Sequence, residues 1–474
     1  MLRQIPVEVA PWQPIPIIVD IDQFCFYGGI ATGKSAIGSI WAIDKMTSMP
    51  DVTGFIGSNT YDQMSTATLR ELFFWLTKFG IPYVIDEMPP AAWGFTRKEF
   101  KSYKNILSVY IDGKIVHVFT RVLSEPDALR GFECTWYWLD EIRDTRQDTH
   151  DVLVGRLRES DDLFGLCTTT TNGEGWDYKR FVLGADGKTY GSMHVPTTES
   201  LRIGLITNQY FNMLLKTYSP LMAEQEIHAR HVNVFGGRAY YAASDKNKKR
   251  IAPWGDRVPN VERPLIVGAD FNYSPAPHIW MIGQVGPGEY HNRIHWFAEI
   301  AEKETGTPEM AKILMMRYPD FFYEIYGDAS GGRGTTSNSG QHDFNQISQV
   351  INGGGGLCTI NVDWDDEGHA KGNPRVKNRV ENMNAMFCNG LGERRQTYNP
   401  DTCPMFDADI RMVGWKTISA ALGRAKLDDG GDINRTHASD GGGYAVWKKF
   451  PPGYTMELVS GIPSSVRSDL RGAL

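Results

Sequence analysis

Short runs of apolar residues alternate with longer stretches of helical periodicity from residue 24 to residue 235. Phe24-Cys25-Phe26-Tyr27, Thr135-Trp136-Tyr137-Trp138-Leu139 and Leu163-Phe164-Gly165-Leu166-Cys167 each read as a short buried strand, and the segment from Ala36 to Ala42 reads as a helix. This is the βα alternation of a parallel sheet covered by helices. Gly236-Gly237, a tyrosine pair and the polar run from Ser244 to Arg250, followed by Pro253 and Pro259, break the pattern and predict a linker. A second αβ-rich stretch opens at Pro264. Strands are expected from Leu265 to Ala269, His278 to Ile282, Arg293 to Phe297 and Tyr323 to Gly327. Gly353 to Gly356 predicts a flexible loop, and an apolar helix containing Tyr444, Val446 and Trp447 is expected after His437. Pro451-Pro452 leads into a tail poor in apolar residues. No internal repeat is visible. The expected division is 1–235, a linker at 236–263, 264–450, and a tail at 451–474.

Composition serves mainly to exclude. The 474 residues suit two or three domains at about 150 residues each. With 41% hydrophobic and 12% aromatic residues there is ample core, which rules out a disordered chain. No apolar run reaches the roughly 18 residues of a membrane span, and Met1 to Pro6 carries no secretory signal, so neither membrane insertion nor secretion is expected. The 6 cysteines form no CxxC or finger spacing, which argues for a reducing compartment and against a zinc module. The formal charge is −7, yet basic residues cluster: Arg97, Lys98, Lys101 and Lys104; Lys246, Lys248, Lys249 and Arg250; Lys371, Arg375, Lys377 and Arg379. Each cluster reads as a solvated face or as local positive potential for nucleic acid, and the total charge does not decide between them.

The first candidate chemistry lies where the first strand ends. Gly28-Gly29-Ile30-Ala31-Thr32-Gly33-Lys34-Ser35 matches the phosphate-binding pattern GxxxxGK[ST], with a strand before it and a helix after it. Glycines let backbone N–H groups turn onto phosphate oxygens, and the helix N-terminus adds positive potential. Lys34 would reach the β/γ-phosphates of ATP and Ser35 would ligate Mg²⁺. The strand at Thr135–Leu139 ends in Asp140 and Glu141, the first to hold the Mg²⁺ and the second to orient or deprotonate water. Thr168 to Asn172 forms a hydroxyl-rich strand end placed to sense the γ-phosphate, Thr169, Thr170 and Asn172 above all. Arg130 is a candidate arginine finger for a neighbouring subunit, and Gln13 a candidate reader of adenine. The expected N-terminal fold is a P-loop NTPase with a RecA/ASCE-like parallel sheet.

The second candidate chemistry is acidic. Asp270 and Asp328 each end a predicted strand, and Asp440 in His437-Ala438-Ser439-Asp440 opens a predicted helix. That order is the layout of an RNase H-like nuclease, whose carboxylates gather two divalent ions, Mg²⁺ with Mn²⁺ as the alternative.

Together these motifs, over about residues 12–450, resemble the large terminase subunit of tailed bacteriophages; Cys403-Pro404-Met405-Phe406 before a helix adds to the likeness. The resemblance implies an ATP-driven motor that threads double-stranded DNA through a portal protein into a capsid, and a nuclease that cuts concatemers. It also implies a small terminase subunit as partner, a homo-oligomeric ring (a pentamer) on the procapsid, and a place in the host cytoplasm with no membrane. Many members carry a basic residue in the P-loop where this chain has Ile30, which puts the weight of an arginine role on Arg130. Two other readings stay open: a helicase-like translocase with an inactive RNase H-like module that only binds DNA, and a P-loop phosphotransferase with structural acids.

Overall fold

A computed structural model describes residues 9–95, 100–124, 129–158, 163–232, 237–255, 258–332, 341–365, 370, 372–416 and 426–452. Arg97, Lys98 and Lys371 of the basic clusters, Gly236 and 256–257 of the expected linker, and 453–474 of the expected tail lie outside the described residues. The chain forms two compact units, Met1–Phe211 with Leu221–Val234, and Asn212–Pro220 with Phe235–Leu474.

The first unit is built on eight strands: β1 (Gln23–Gly28), β2 (Gly54–Ser58), β3 (Tyr83–Ile85), β4 (Ile106–Ile111), β5 (Lys114–Val122), β6 (Trp136–Asp140), β7 (Phe164–Thr169) and β8 (Tyr190–Val195). Their order is β3-β4-β5-β2-β6-β7-β1-β8. From β5 to β8 all neighbours are parallel. The unbroken apolar runs of β1 and β6 follow from burial on both faces. Trp136 and Trp138 join the cluster of Trp41, Ile43 and Leu72, while Tyr137 and Leu139 join that of Leu153 and Phe181. One edge departs from the expected parallel pattern: β3, β4 and β5 are antiparallel, with β4 and β5 joined at Asp112-Gly113, both at positive φ (47° and 86°). The helix Lys34–Ser48 lies tight against β6, since a Cβ on Gly38 would fall 2.1 Å from the Trp138 ring.

The second unit holds a six-stranded sheet of β9 (Leu265–Asp270), β10 (His278–Val285), β11 (Ile294–Glu302), β12 (Phe322–Gly327), β13 (Leu357–Ile360) and β14 (Gln396–Tyr398), ordered β13-β12-β9-β10-β11-β14. The meander β9-β10-β11 is antiparallel, and β12 joins β9 in parallel. Period-two alternation sends Ile266, Ile279 and Met281 to one face, with Phe387, Phe406 and Val446, and Val267, Trp280 and Ile282 to the other, with Met310, Leu314 and Ile347. The helix His437–Lys449 packs on β9, β10 and β12. The expected linker is altered by the structure at its start: Ala239, Tyr240 and Ala243 are buried in this unit's core. Lys248 pairs with Asp245 and Asp407, and Arg250 with Asp401, so two members of this basic run are charge-matched within the fold. Among the described residues no helix is long and apolar enough to cross a membrane.

Candidate active sites: a phosphate cradle and an acidic cluster

β1 runs into the glycine loop, and the loop is pinned from outside. The N–H groups of Gly29 and Ile30 donate to the carbonyls of Val195 and Glu226, both at 2.9 Å. The loop's own carbonyls take side-chain donors: Thr32 Oγ1 to Gly29 (2.8 Å), Thr197 Oγ1 to Ile30 (2.8 Å), Ser200 Oγ to Ala31 (2.9 Å) and Trp12 Nε1 to Thr32 (3.0 Å). With the carbonyls so engaged and Gly33 at φ 78°, the helix that begins at Lys34 has no side-chain cap. Its first N–H groups, which lack intrahelical partners, are left for an anion. The residues therefore fit a nucleotide phosphate. Gln13 packs on the loop, its Nε2 2.4 Å from where a Gly33 Cβ would stand, and its Oε1 accepts from the N–H of Ala10.

β7 lies between β1 and β6, so the ends of β1 and β6 stand roughly 10 Å apart. Ser35 bridges that gap, its Oγ donating to Asp140 Oδ2 at 3.1 Å. Thr68 Oγ1 donates to the same oxygen (2.9 Å) and Thr168 Oγ1 to Oδ1 (2.8 Å). Burial pushes the Asp140 carboxyl up to about 6 and the Glu141 charge adds to the rise, while the three hydroxyls hold it down. An oxygen pair of Ser35 and Asp140 beside a phosphate cradle fits Mg²⁺ in kind.

Glu141 stands at φ 56°, a left-handed backbone that costs a non-glycine residue about 1–3 kcal/mol. Two bonds hold it: its N–H donates to Thr168 O (2.7 Å), and Asn59 Nδ2 donates to its carbonyl (2.8 Å). Its carboxylate lies between two cations, Lys34 Nζ at 3.9 Å and Arg143 Nε at 3.7 Å. Lys34 also donates to the carbonyls of Gly28 and Gly29. Thr169 Oγ1 accepts from the N–H of Arg143 (3.1 Å) and donates to the carbonyl of Thr170, which is buried; Asn172 Nδ2 donates to Arg143 O (3.1 Å). Arg130 is exposed, just after the buried Leu129. Asn59, Thr68, Arg143 and Glu226 escaped the sequence reading. Each is a lone polar residue without a motif.

In the second unit Asp270 ends β9, Asp328 follows β12, and Asp440 lies in the first turn of His437–Lys449. Tyr444 and Arg379 lie among these acids. Burial raises the Tyr444 phenol, the Arg379 charge lowers it, and Asp328, Asp440 and Asp270 each push it further up. Burial also raises the Asp440 carboxyl, with Arg379 holding it down and Asp270 adding to the rise. Yet the carboxylate oxygens have local partners. Asp270 Oδ2 lies 2.8 Å from His437 Nδ1 and 2.6 Å from Asn272 Nδ2. Asp328 accepts from Asn373 Nδ2 (2.8 Å) and Tyr444 Oη (3.1 Å). Asp440 Oδ1 accepts from Arg379 at 2.7 Å. Among the described residues no group of three or more His, Cys, Asp or Glu stands ready to hold a metal ion. The donor oxygens suit a hard cation, but their present placement does not fit one. Arg379, expected in a basic face, is instead buried under Tyr444, 4.3 Å from its ring centroid. Asp409, which the sequence reading missed, fixes the helix: it accepts from the N–H groups of Thr436 (3.0 Å) and Ser439 (2.9 Å).

No family model matches the chain, and no curated protein matches it in sequence. Solved structures do. The large terminase of a thermophilic bacteriophage is similar with a TM-score of 0.57 at 14% identity, over 93% of this chain and 99% of that one. The same phage protein in complex with ADP gives 0.56 at 14% identity over 94% and 99%, and in complex with ATP-γ-S 0.55 at 14% over 93% and 99%. At such identity the likeness speaks for architecture: the chain has the α/β fold of a phage large terminase.

Proposed function

We propose that the chain is the large subunit of a phage terminase, a DNA-packaging ATPase that also cuts concatemeric DNA. The observation that carries the reading is the uncapped helix N-terminus at Lys34 beside the Ser35–Asp140 contact, with Glu141 as the next residue. A similar fold, that of the thermophilic phage's large terminase, has been solved with ADP and ATP-γ-S. Lys34 leaves the Gly28 and Gly29 carbonyls for the β/γ-phosphates, and the N–H groups at the start of the helix from Lys34 bind the same anion. Mg²⁺ at Ser35 and Asp140 would offset phosphate charge. Glu141 orients the attacking water and accepts its proton. Arg130 of a neighbouring copy offsets charge at the transition state, and Thr169, Thr170 and Asn172 register the γ-phosphate. Double-stranded DNA, a portal protein, a small terminase subunit and a ring of copies on the procapsid, in the host cytoplasm, complete the proposal. Lys34→Ala and Glu141→Gln should each lower ATP turnover by about 100-fold or more. Wild-type turnover in either variant would overturn the assignment.

For the second unit we propose an endonuclease centred on Asp270, Asp328 and Asp440. The Arg379–Asp440 pair favours one rival, a module that binds DNA without cutting it. DNA incubated with Mg²⁺ or Mn²⁺ separates them: cleavage lost in Asp270→Asn with ATP turnover intact supports the nuclease, and uncut DNA with wild-type protein supports the rival.

A further inference from the structure

We infer that Arg143 is a positioning residue of the ATPase centre, holding the Glu141 carboxylate in place and tying it to the Thr169–Asn172 segment. The inference rests on the ATPase reading above.

Two features of Arg143 carry it. The guanidinium spans two carboxylates, with Nε 3.7 Å from Glu141 Oε2 and NH1 2.6 Å from Glu226 Oε1. The planar fork meets each carboxylate with a different nitrogen and so fixes their relative orientation, which a point-like ammonium does not. The backbone of the same residue is engaged at both ends by the candidate sensing segment, its N–H with Thr169 Oγ1 and its carbonyl with Asn172 Nδ2. Arg143 is therefore the residue through which a shift of the Glu141 carboxylate and a shift of that segment are felt together.

The far end of the guanidinium is anchored to the phosphate loop. Glu226 Oε1 also accepts from Gln225 Nε2 (3.0 Å), and the Glu226 carbonyl accepts from the N–H of Ile30. Thr171 Oγ1 donates to the carbonyls of Gln225 (3.2 Å) and Arg230 (2.8 Å), which closes the circuit back to the strand end of β7. In this arrangement Lys34 and Arg143 share Glu141. Once a phosphate draws Lys34 away, Arg143 is the cation that keeps the carboxylate aimed, and Glu226 keeps Arg143 aimed.

The test uses the full chain, ATP turnover, and ATP-γ-S binding by calorimetry. In Arg143→Ala, kcat should fall about tenfold or more while the Kd for ATP-γ-S stays within about threefold, since the interaction acts on water activation rather than on the nucleotide. Arg143→Lys keeps the charge but not the fork and should fall between. Glu226→Gln leaves Arg143 in place, takes the charge from its anchor while keeping an oxygen acceptor, and should lower kcat in the same direction by less. A kcat within about twofold of wild type in Arg143→Ala would overturn the inference, as would a Kd that weakens by the same factor as kcat falls. Should Arg143→Ala fail to fold, full kcat in both Arg143→Lys and Glu226→Gln overturns it. Lys34→Ala, run alongside, separates the two readings: wild-type turnover there removes the ATPase assignment itself, whereas loss there with full turnover in the Arg143 variants removes only the role of Arg143.

Discussion

Glu299 on β11 accepts the N–H groups of Met405 (2.8 Å) and Phe406 (3.0 Å) at the start of the helix Pro404–Met412. From that helix Asp409 reaches the N-terminus of His437–Lys449. A relay of two carboxylates thus orients the helix that carries Asp440. Burial pushes Glu299 up to about 7 and Asp409 up to about 6, against the N–H groups that hold each down. Because both values exceed those of the unfolded chain, the folded protein retains protons that the unfolded one releases. The stability these groups confer is therefore full in acid and falls as pH rises toward 7. For Glu299 alone, raised from 4.5, the loss is on the order of 2–3 kcal/mol between pH 4 and pH 8. Glu299→Gln cannot ionise, so its melting temperature should decline less than that of wild type between pH 5 and pH 8. Parallel pH profiles would contradict the relay. At this scale the residues with a motif were legible: Lys34, Ser35, Asp140 and Glu141 announce themselves by spacing and by the apolar runs before them. Asn59, Arg143 and Asp409 did not, because a single polar side chain acquires its partner only when distant segments fold together.

Among the elements, the helix His437–Lys449 contains three successive glycines, poor helix formers whose presence needs a packing reason. Contact with β9 supplies it. A Cβ on Gly441 would stand 2.7 Å from Gly268 O, and one on Gly268 would stand 2.3 Å from Gly441 O. Backbone meets backbone there, so neither side can step aside by a rotamer change. Gly441→Ala should push the helix off the sheet and cost about 1–3 kcal/mol, read as a lower melting temperature. An unchanged melting temperature would mean that the contact is looser than these distances imply. Strands were legible where both faces are buried, as in β1, β6 and β9. The antiparallel edge was missed although Asp112-Gly113, between Ile106–Ile111 and Lys114–Val122, carries a hairpin signal. The βα rhythm of its neighbours masked it.

For the whole molecule, the path of the chain matters more than its composition. The segment Asn212–Pro220 belongs to the second unit, after which the chain returns to the first until Val234. Within the second unit the N–H of Gly390 donates to the carbonyls of Leu215 and Tyr218, Asn389 Nδ2 to Lys216 O, and Ser219 Oγ to the half-buried Glu381. A fragment beginning at residue 237 loses these partners, whereas one beginning at residue 208 keeps them. The longer fragment should melt several degrees higher; equal melting would show that the excursion contributes nothing. No shift in residue type marks Asn212–Pro220. The glycine pair and charged run near residue 240 likewise hid Tyr240, which is only 1% exposed.

Trp12, Thr197 and Ser200 grip the phosphate loop from its outer side, so its shape is settled when the protein folds and not when a ligand arrives. Nucleotide binding should then involve little ordering of that loop, and ADP should find it as well prepared as ATP does. If the proposed ATP turnover takes place on this seat, its product should leave without unfolding of the loop's outer contacts.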